Sequence, residues 1–246
     1  ACREKKIPIR VGVNAGSIPS EFRRRFGGPT PRALVESALK EVGRIEKRGY
    51  ELIKISVKAF DVFTTRKAYR LLADKVDYPL HLGITEAGPP FAGTVRSVIG
   101  IASILLDGIG DTIRVSLSAP PVEEIRVGRE ILKVLGLRKF GPTVISCPTC
   151  GRCRIDVFSL AGEVEERLSR LPAAATAGLT VAVMGCEVNG PGEARQADIG
   201  LAGGKNYVAL FREGSIVRRV PPRGAADALL EAIGQYLKET KKDGSD

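Results

Sequence analysis

Leu52-Ile53-Lys54-Ile55-Ser56-Val57-Lys58 is followed, from Asp61 through Leu71 and Leu72, by a helical pattern. A short β-branched run with no polar side, then a capped helix, is one strand–helix unit. The same unit recurs on both sides. Before it, Ile7 to Val13 is a strand ending in Asn14-Ala-Gly-Ser17. Thr30-Pro31 then opens a helix carrying Ala33, Leu34, Ala38, Val42 and Ile45 at helical spacing, and Gly49 stops it. After it, Pro79 to Ile84 is a third strand, with a helix from about Thr94 to Leu106. Asp111 to Ser116 is a fourth, with a helix from about Val122 to Leu135. Four strands too apolar to have a wet face imply a parallel sheet covered by helices, an α/β fold. A closed barrel takes eight such units. The chain therefore reads as a small open sheet or as the second half of a TIM barrel, and a start without Met favours the half barrel.

From about Gly141 the pattern changes. A strand, Thr143 to Ser146, leads into Cys147-Pro-Thr-Cys150. A helix runs from about Leu160 to Leu171, and Thr180 to Val183 leads into Gly185-Cys186-Glu187-Val-Asn189-Gly-Pro-Gly-Glu193. Ile199 to Gly204, Tyr207 to Phe211 and Ser215 to Val220 form a β-meander with Glu213-Gly214 as a hairpin turn. A helix from about Ala225 to Lys238 follows, and Lys241 to Asp246 reads as a frayed tail. The expected domains are 1–139, the half barrel, and 140–246, a small α+β domain.

Composition narrows the function. The 246 residues are 43% hydrophobic, enough for a core, and no apolar run approaches the roughly 20 residues that cross a membrane. The charged start is not a signal peptide. Five clustered cysteines, an odd number, argue for a reducing compartment and a metal or redox role rather than a disulfide scaffold. A net charge of +10 suits a polyanionic substrate or an acidic partner. With no Trp and no basic run interleaved with aromatics, nucleic acid is the weakest partner.

Asn14, Lys58, Thr85, Glu86, Arg114 and Ser116 fall at or beside the C-terminal ends of the four strands, where parallel α/β folds carry their sites. One such residue is usually a helix cap. Six, with two cations and a carboxylate, point to a site. Lys58 and Arg114 suit phosphate oxygens, with Arg10 inside the first strand as a further cation. Glu86 suits proton transfer or hydroxyl binding. His81, the single histidine, is expected to be a satisfied core residue. Cys147, Cys150 and Cys186 suit structural zinc or an iron–sulfur cluster, with Cys153 or Glu193 as the fourth ligand. A thioredoxin-type pair has no use for Cys186.

The two cysteine segments, together with Ile9 to Ser17, Lys54 to Lys58, Leu80 to Gly88 and Gly108 to Leu117, resemble in order those of the 4-hydroxy-3-methylbut-2-enyl diphosphate synthases. The resemblance covers nearly the whole chain. It implies a TIM barrel followed by an iron–sulfur domain, in a cytoplasmic homodimer. The implied reaction is reductive ring opening and dehydration of a cyclic diphosphate, 2-C-methyl-D-erythritol 2,4-cyclodiphosphate. Electrons would come from ferredoxin or flavodoxin through a [4Fe-4S] cluster. Motif by motif, it implies Cys147, Cys150, Cys186 and Glu193 as cluster ligands. Substrate contacts would be Arg10, Asn14, Lys58, Thr85, Glu86, Arg114, Ser116 and Asn189, with Glu86 and Glu193 at the chemistry. Cys153 departs from the pattern and is expected to be a bystander. The competing expectations are a zinc-stapled anion-binding protein without redox chemistry and a passive ferredoxin-like electron carrier.

Overall fold

The computed structural model describes residues 1–187 and 196–243. The chain divides into two compact units, Ala1–Arg138 and Lys139–Asp246.

The first unit runs α1 (Cys2–Lys5), β1 (Ile9–Asn14), a 3-10 turn (Ala15–Ser17), α2 (Ser20–Phe26) and α3 (Pro31–Glu46). It continues with β2 (Ile53–Lys58), α4 (Val62–Ala73), β3 (His81–Leu82), α5 (Pro90–Leu105), β4 (Thr112–Ile113) and α6 (Pro121–Val134). Thr30 caps α3, its hydroxyl accepting from Ala33 N at 3.3 Å, and Asp61 caps α4, accepting from Thr64 N at 2.6 Å. β1 pairs with β2 in parallel from Ile9↔Ile53 to Asn14↔Lys58. β2 meets the third strand at Ile55↔Leu80, and β3 pairs with β4 at His81↔Thr112. Strands that neighbour one another in chain order, joined by right-handed crossovers, carry all their helices on one face. α3, α4, α5 and α6 indeed pack each against the next. This is the arrangement of half a (β/α)8 barrel.

Side chains alternate across a strand. Val11, Val13, Ile53, Ile55, Val57, Leu80 and Leu82 are buried in the core with the helices. Arg10, Gly12, Asn14, Lys54, Ser56, Lys58, His81, Thr112 and Arg114 hold the opposite face, and Arg10, Asn14, Thr112 and Arg114 are exposed on it. The strands therefore do have a polar face, contrary to the expectation. Their β-branched half dominates the eye because every second residue is apolar.

The third strand is also shorter than Pro79 to Ile84, for a reason that lies in α4. Ile55 N donates to the Pro79 carbonyl at 2.9 Å. The next rung of a parallel ladder would join Val57 N to the His81 carbonyl. Instead the Tyr69 hydroxyl sits between them, accepting from Val57 N at 3.2 Å and donating to His81 O at 2.6 Å. Tyr69 is wholly buried. Two residues on, the Thr65 hydroxyl accepts from Ala59 N at 3.1 Å. Side chains of α4 thus wedge β2 from β3 just below Lys58. Tyr69→Phe strands one buried N–H and one buried carbonyl, each costing about 1–3 kcal/mol. We expect a loss of roughly 2–4 kcal/mol, read from the midpoint of denaturant unfolding. An unchanged midpoint would mean that the strands simply close up.

α2 has no apolar periodicity to announce it. Seven residues with Arg23-Arg24-Arg25 look like a polar loop, and only Phe22 is buried.

The second unit runs β5 (Thr143–Ser146), α7 (Val157–Ser169), β6 (Thr180–Met184), β7 (Ile199–Gly203), β8 (Val208–Arg212), β9 (Ser215–Val220) and α8 (Ala225–Asp243). Among the described residues the strands form one sheet in chain order. β5, β6 and β7 are parallel, while β7, β8 and β9 form an antiparallel meander. Glu213 and Gly214 both have positive φ, 50° and 78°, as the mirror-image hairpin turn requires. Val181, Val183, Leu201 and Leu210 pack with Val164 and Leu168 of α7 and Leu229 and Ile233 of α8. α7 starts earlier than expected because Asp156 caps it, accepting from Ser159 N at 3.0 Å. α8 runs beyond the expected Lys238, to Asp243.

Candidate active site and cysteine centre

In the first unit the parallel register places Asn14 beside Lys58, each the last residue of its strand. Lys58 is only 3% exposed, yet no ion pair holds it among the described residues. Gly83 makes room for it: a Cβ there would stand 3.3 Å from Lys58 Cε and 2.8 Å from the Arg114 carbonyl oxygen. Burial, then the charges of Arg114 and Arg10, pushes the Lys58 ammonium down to about 8. An unpaired, desolvated ammonium among guanidiniums is an arrangement that a bound anion relieves.

Glu86 follows the third strand and is exposed, with φ at 56°. A left-handed glutamate is uncommon, and such strain gathers at functional sites. Its Oε1 lies 3.8 Å from where a Cβ on Gly16 would be, so the carboxylate reaches the segment that follows β1. The loop is held from both sides. Arg96 donates to the Ala87 carbonyl and stacks on the Phe60 ring at 4.2 Å. Ser118 N donates to Gly88 O at 3.0 Å, tying this loop to the one after β4. Thr85 and Ser116 stand half-buried at the same strand ends, and Arg114 is exposed beyond β4. Arg10 lies lower on the polar face, paired in register with Lys54.

His81 answers its expectation with one nitrogen only. Nδ1 is 2.8 Å from Thr112 Oγ1, but Nε2 is buried without a partner among the described residues. Burial, then the cations Lys58, Arg10, Lys54 and Arg114, pushes His81 down to about 4, so it is neutral at physiological pH. A histidine in a run of strand residues carries no sign of this; it takes the register to set it beside a threonine and among four cations.

In the second unit, Cys147 follows β5 and Cys186 lies just past β6, and the two strands pair in parallel up to Ser146↔Val183. Gly185 N points at Cys147 Sγ, 3.1 Å away. A Cβ on Gly185 would come 2.6 Å from Cys153 Sγ and 3.4 Å from Cys147 Sγ, and one on Gly203 would come 2.6 Å from Gly185 O. Glycines thus let the ends of β6 and β7 and two thiols crowd together. Cys153 donates its S–H to Ile155 O at 3.0 Å. Cys186 is buried, Cys147 half-buried and Cys150 exposed, and all the cysteines are free. Glu187 is fixed by the Tyr207 hydroxyl at 2.6 Å. Asn189 and Glu193 lie outside the described residues. Among the described residues no three of His, Cys, Asp and Glu converge closely enough to hold a metal ion. The donor set itself suits an iron–sulfur group: free thiols on adjoining strand ends, and a backbone N–H aimed at one sulfur.

Residues 1–129 match the family model of the GcpE TIM-barrel domain, and residues 143–235 match that of the GcpE protein C-terminal domain. The chain is similar to three proteins named 4-hydroxy-3-methylbut-2-en-1-yl diphosphate synthase (flavodoxin). That of Geobacter sulfurreducens is 57% identical over 97% of this chain and 67% of its own length. That of Clostridium perfringens is 54% identical over 95% of this chain and 66% of its own. That of Caldanaerobacter subterraneus subsp. tengcongensis is 55% identical over 97% and 66%. The chain thus spans about two thirds of the length of the curated relatives it matches.

Proposed function

The chain belongs to the GcpE family, and on that premise we propose that it carries the substrate site and the cluster thiols of a 4-hydroxy-3-methylbut-2-en-1-yl diphosphate synthase. Its substrate is 2-C-methyl-D-erythritol 2,4-cyclodiphosphate. Two electrons and two protons open the ring at carbon–oxygen and release water, leaving 4-hydroxy-3-methylbut-2-enyl diphosphate. The observation that carries this reading is Lys58, a buried ammonium with Arg114 and Arg10 about it and, among the described residues, no carboxylate to balance it.

Arg10, Lys58 and Arg114 hold the diphosphate oxygens, the arginines as forks and the lysine as a point charge. Asn14, Thr85 and Ser116 bind the remaining oxygens and orient the sugar-derived carbons, with Asn189 as a further contact. Glu86 holds a substrate hydroxyl and delivers a proton to the departing oxygen. Its left-handed backbone fixes that carboxylate before substrate arrives. Cys147, Cys150, Cys186 and Glu193 would hold a [4Fe-4S] cluster, which supplies electrons singly from flavodoxin or ferredoxin. We place the protein in the cytoplasm as a homodimer. No described helix is long and apolar enough to cross a membrane, and α5 leaves Phe91, Val95 and Ile99 exposed along one stripe for a partner to cover.

Metal analysis of protein prepared without oxygen tests the reading directly. Iron and acid-labile sulfide are expected in equal amounts, with no zinc. Stoichiometric zinc without sulfide would leave an anion-binding protein with no route for electrons.

A further inference from the structure

The cysteine end of the second unit carries a surface that the proposed reaction does not itself employ. From Pro148 to Arg154 every residue but Cys153 is exposed, Cys150 among them. Arg152 and Arg154 are in this segment. Neither has an ion pair among the described residues, whereas Arg167, Arg170, Arg212 and Arg218 of the same unit each sit on a carboxylate. Lys205, exposed, is on the β7–β8 hairpin, and that hairpin abuts Ile155, the residue that follows this segment: a Cβ on Gly203 would come 3.0 Å from Ile155 Cγ1. Two nearby acids among the described residues are held by other partners. Asp156 caps α7 through Ser159, and Glu187 is bound by Tyr207. Phe158, in the first turn of α7, is 87% exposed.

We propose that Arg152, Arg154, Lys205 and Phe158 form the docking surface for the electron donor, an acidic flavin protein of the flavodoxin type. This rests on the function proposed above. Electrons must enter where a cluster ligand meets solvent, and Cys150 is the exposed thiol of the set. Unbalanced cations around it match an acidic donor and steer its approach. One large aromatic among them supplies a desolvated contact, while the whole patch stays small, as electron-transfer interfaces do. Small size and charge together give fast arrival and fast release, which a donor that must call once per electron requires.

The test uses the cluster-loaded protein, its Arg152→Glu/Arg154→Glu variant, and flavodoxin. Affinity is read by titrating the flavin fluorescence at low ionic strength, and turnover is read with flavodoxin and, separately, with dithionite. The proposal expects the double variant to bind flavodoxin at least tenfold more weakly and to lose at least tenfold in kcat/KM for flavodoxin. It expects dithionite-driven turnover to change less than twofold. For the unsubstituted protein, affinity should fall steeply with added salt. Equal affinity in the variant would overturn the surface. So would an equal loss with dithionite, which would place the arginines on the substrate instead. Failure of the function reading looks different: the unsubstituted protein would not turn over cyclic diphosphate with either reductant.

Discussion

Serine in place of Cys186 is expected to strip the protein of iron and sulfide and bring turnover below detection, while the fold survives. Cys186 is 7% exposed at the end of β6, where Gly185 and Gly203 bring the backbones of two strands into contact. A thiolate binds iron; an alcohol at neutral pH does not. The substitution leaves at worst one buried hydroxyl without a partner, about 1–3 kcal/mol. That is a fraction of the roughly 5–15 kcal/mol that holds a domain folded. Far-ultraviolet circular dichroism should therefore be unchanged while the visible absorption of the cluster disappears. Cys153→Ala is the matched control. Its thiol donates to Ile155 O in this structure, a contact made by an S–H rather than by a ligand sulfur. It should keep its iron. Loss of iron from Cys153→Ala, with iron retained in Glu193→Ala, would transfer the fourth ligand from the carboxylate to the third thiol.

The parts of this molecule that were legible in its sequence are those fixed locally. Thr30-Pro31 and Asp61 cap helices by reaching three residues along the chain, and the structure shows both bonds. Glu213-Gly214 turns a hairpin because two adjacent residues take positive φ. What was not legible depends on residues far apart in sequence. Tyr69 reads as one more aromatic on the buried side of α4, yet its hydroxyl replaces a rung of the sheet and shortens the third strand. The polar face of the strands was written in Arg10, Asn14, Lys54, Ser56 and Lys58 all along. It becomes visible only when the register lays Asn14 beside Lys58 and Arg10 beside Lys54. Strand-end residues such as Glu86 could be named from topology, because every parallel strand delivers its next residues to the same end. The left-handed backbone of Glu86 could not, because nothing in Thr85-Glu86-Ala87 asks for it.

Methionine in place of Lys58 is expected to lower kcat/KM for the cyclic diphosphate by about 10²–10³, the range for removing one charge-stabilising donor. The same change is expected to make the protein more stable, by on the order of 1 kcal/mol. The two signs come from one cause. Lys58 is 3% exposed and faces Arg114 and Arg10, and among the described residues no carboxylate is in an ion pair with it. Folding therefore disfavours its charged form, and the ammonium falls from its ordinary value to about 8. For a lysine whose folded value is depressed, the cost is present in full below about 8 and is relieved as pH rises past it toward the unfolded value. Methionine, of similar length and without charge, removes that cost at pH 7. It also removes the cation that the diphosphate requires. In the unsubstituted protein kcat/KM should fall as pH rises through about 8, where free Lys58 loses its proton; in Lys58→Met that limb should be flat. Arginine should not rescue the variant, since the pocket beside Gly83 leaves no room for a guanidinium plane where a Cβ would already stand 3.3 Å from Lys58 Cε. A Lys58→Met protein that lost both stability and activity would make the lysine a packing residue. One that gained stability while losing the substrate would show that the fold tolerates an unpaired buried charge because the anion completes it.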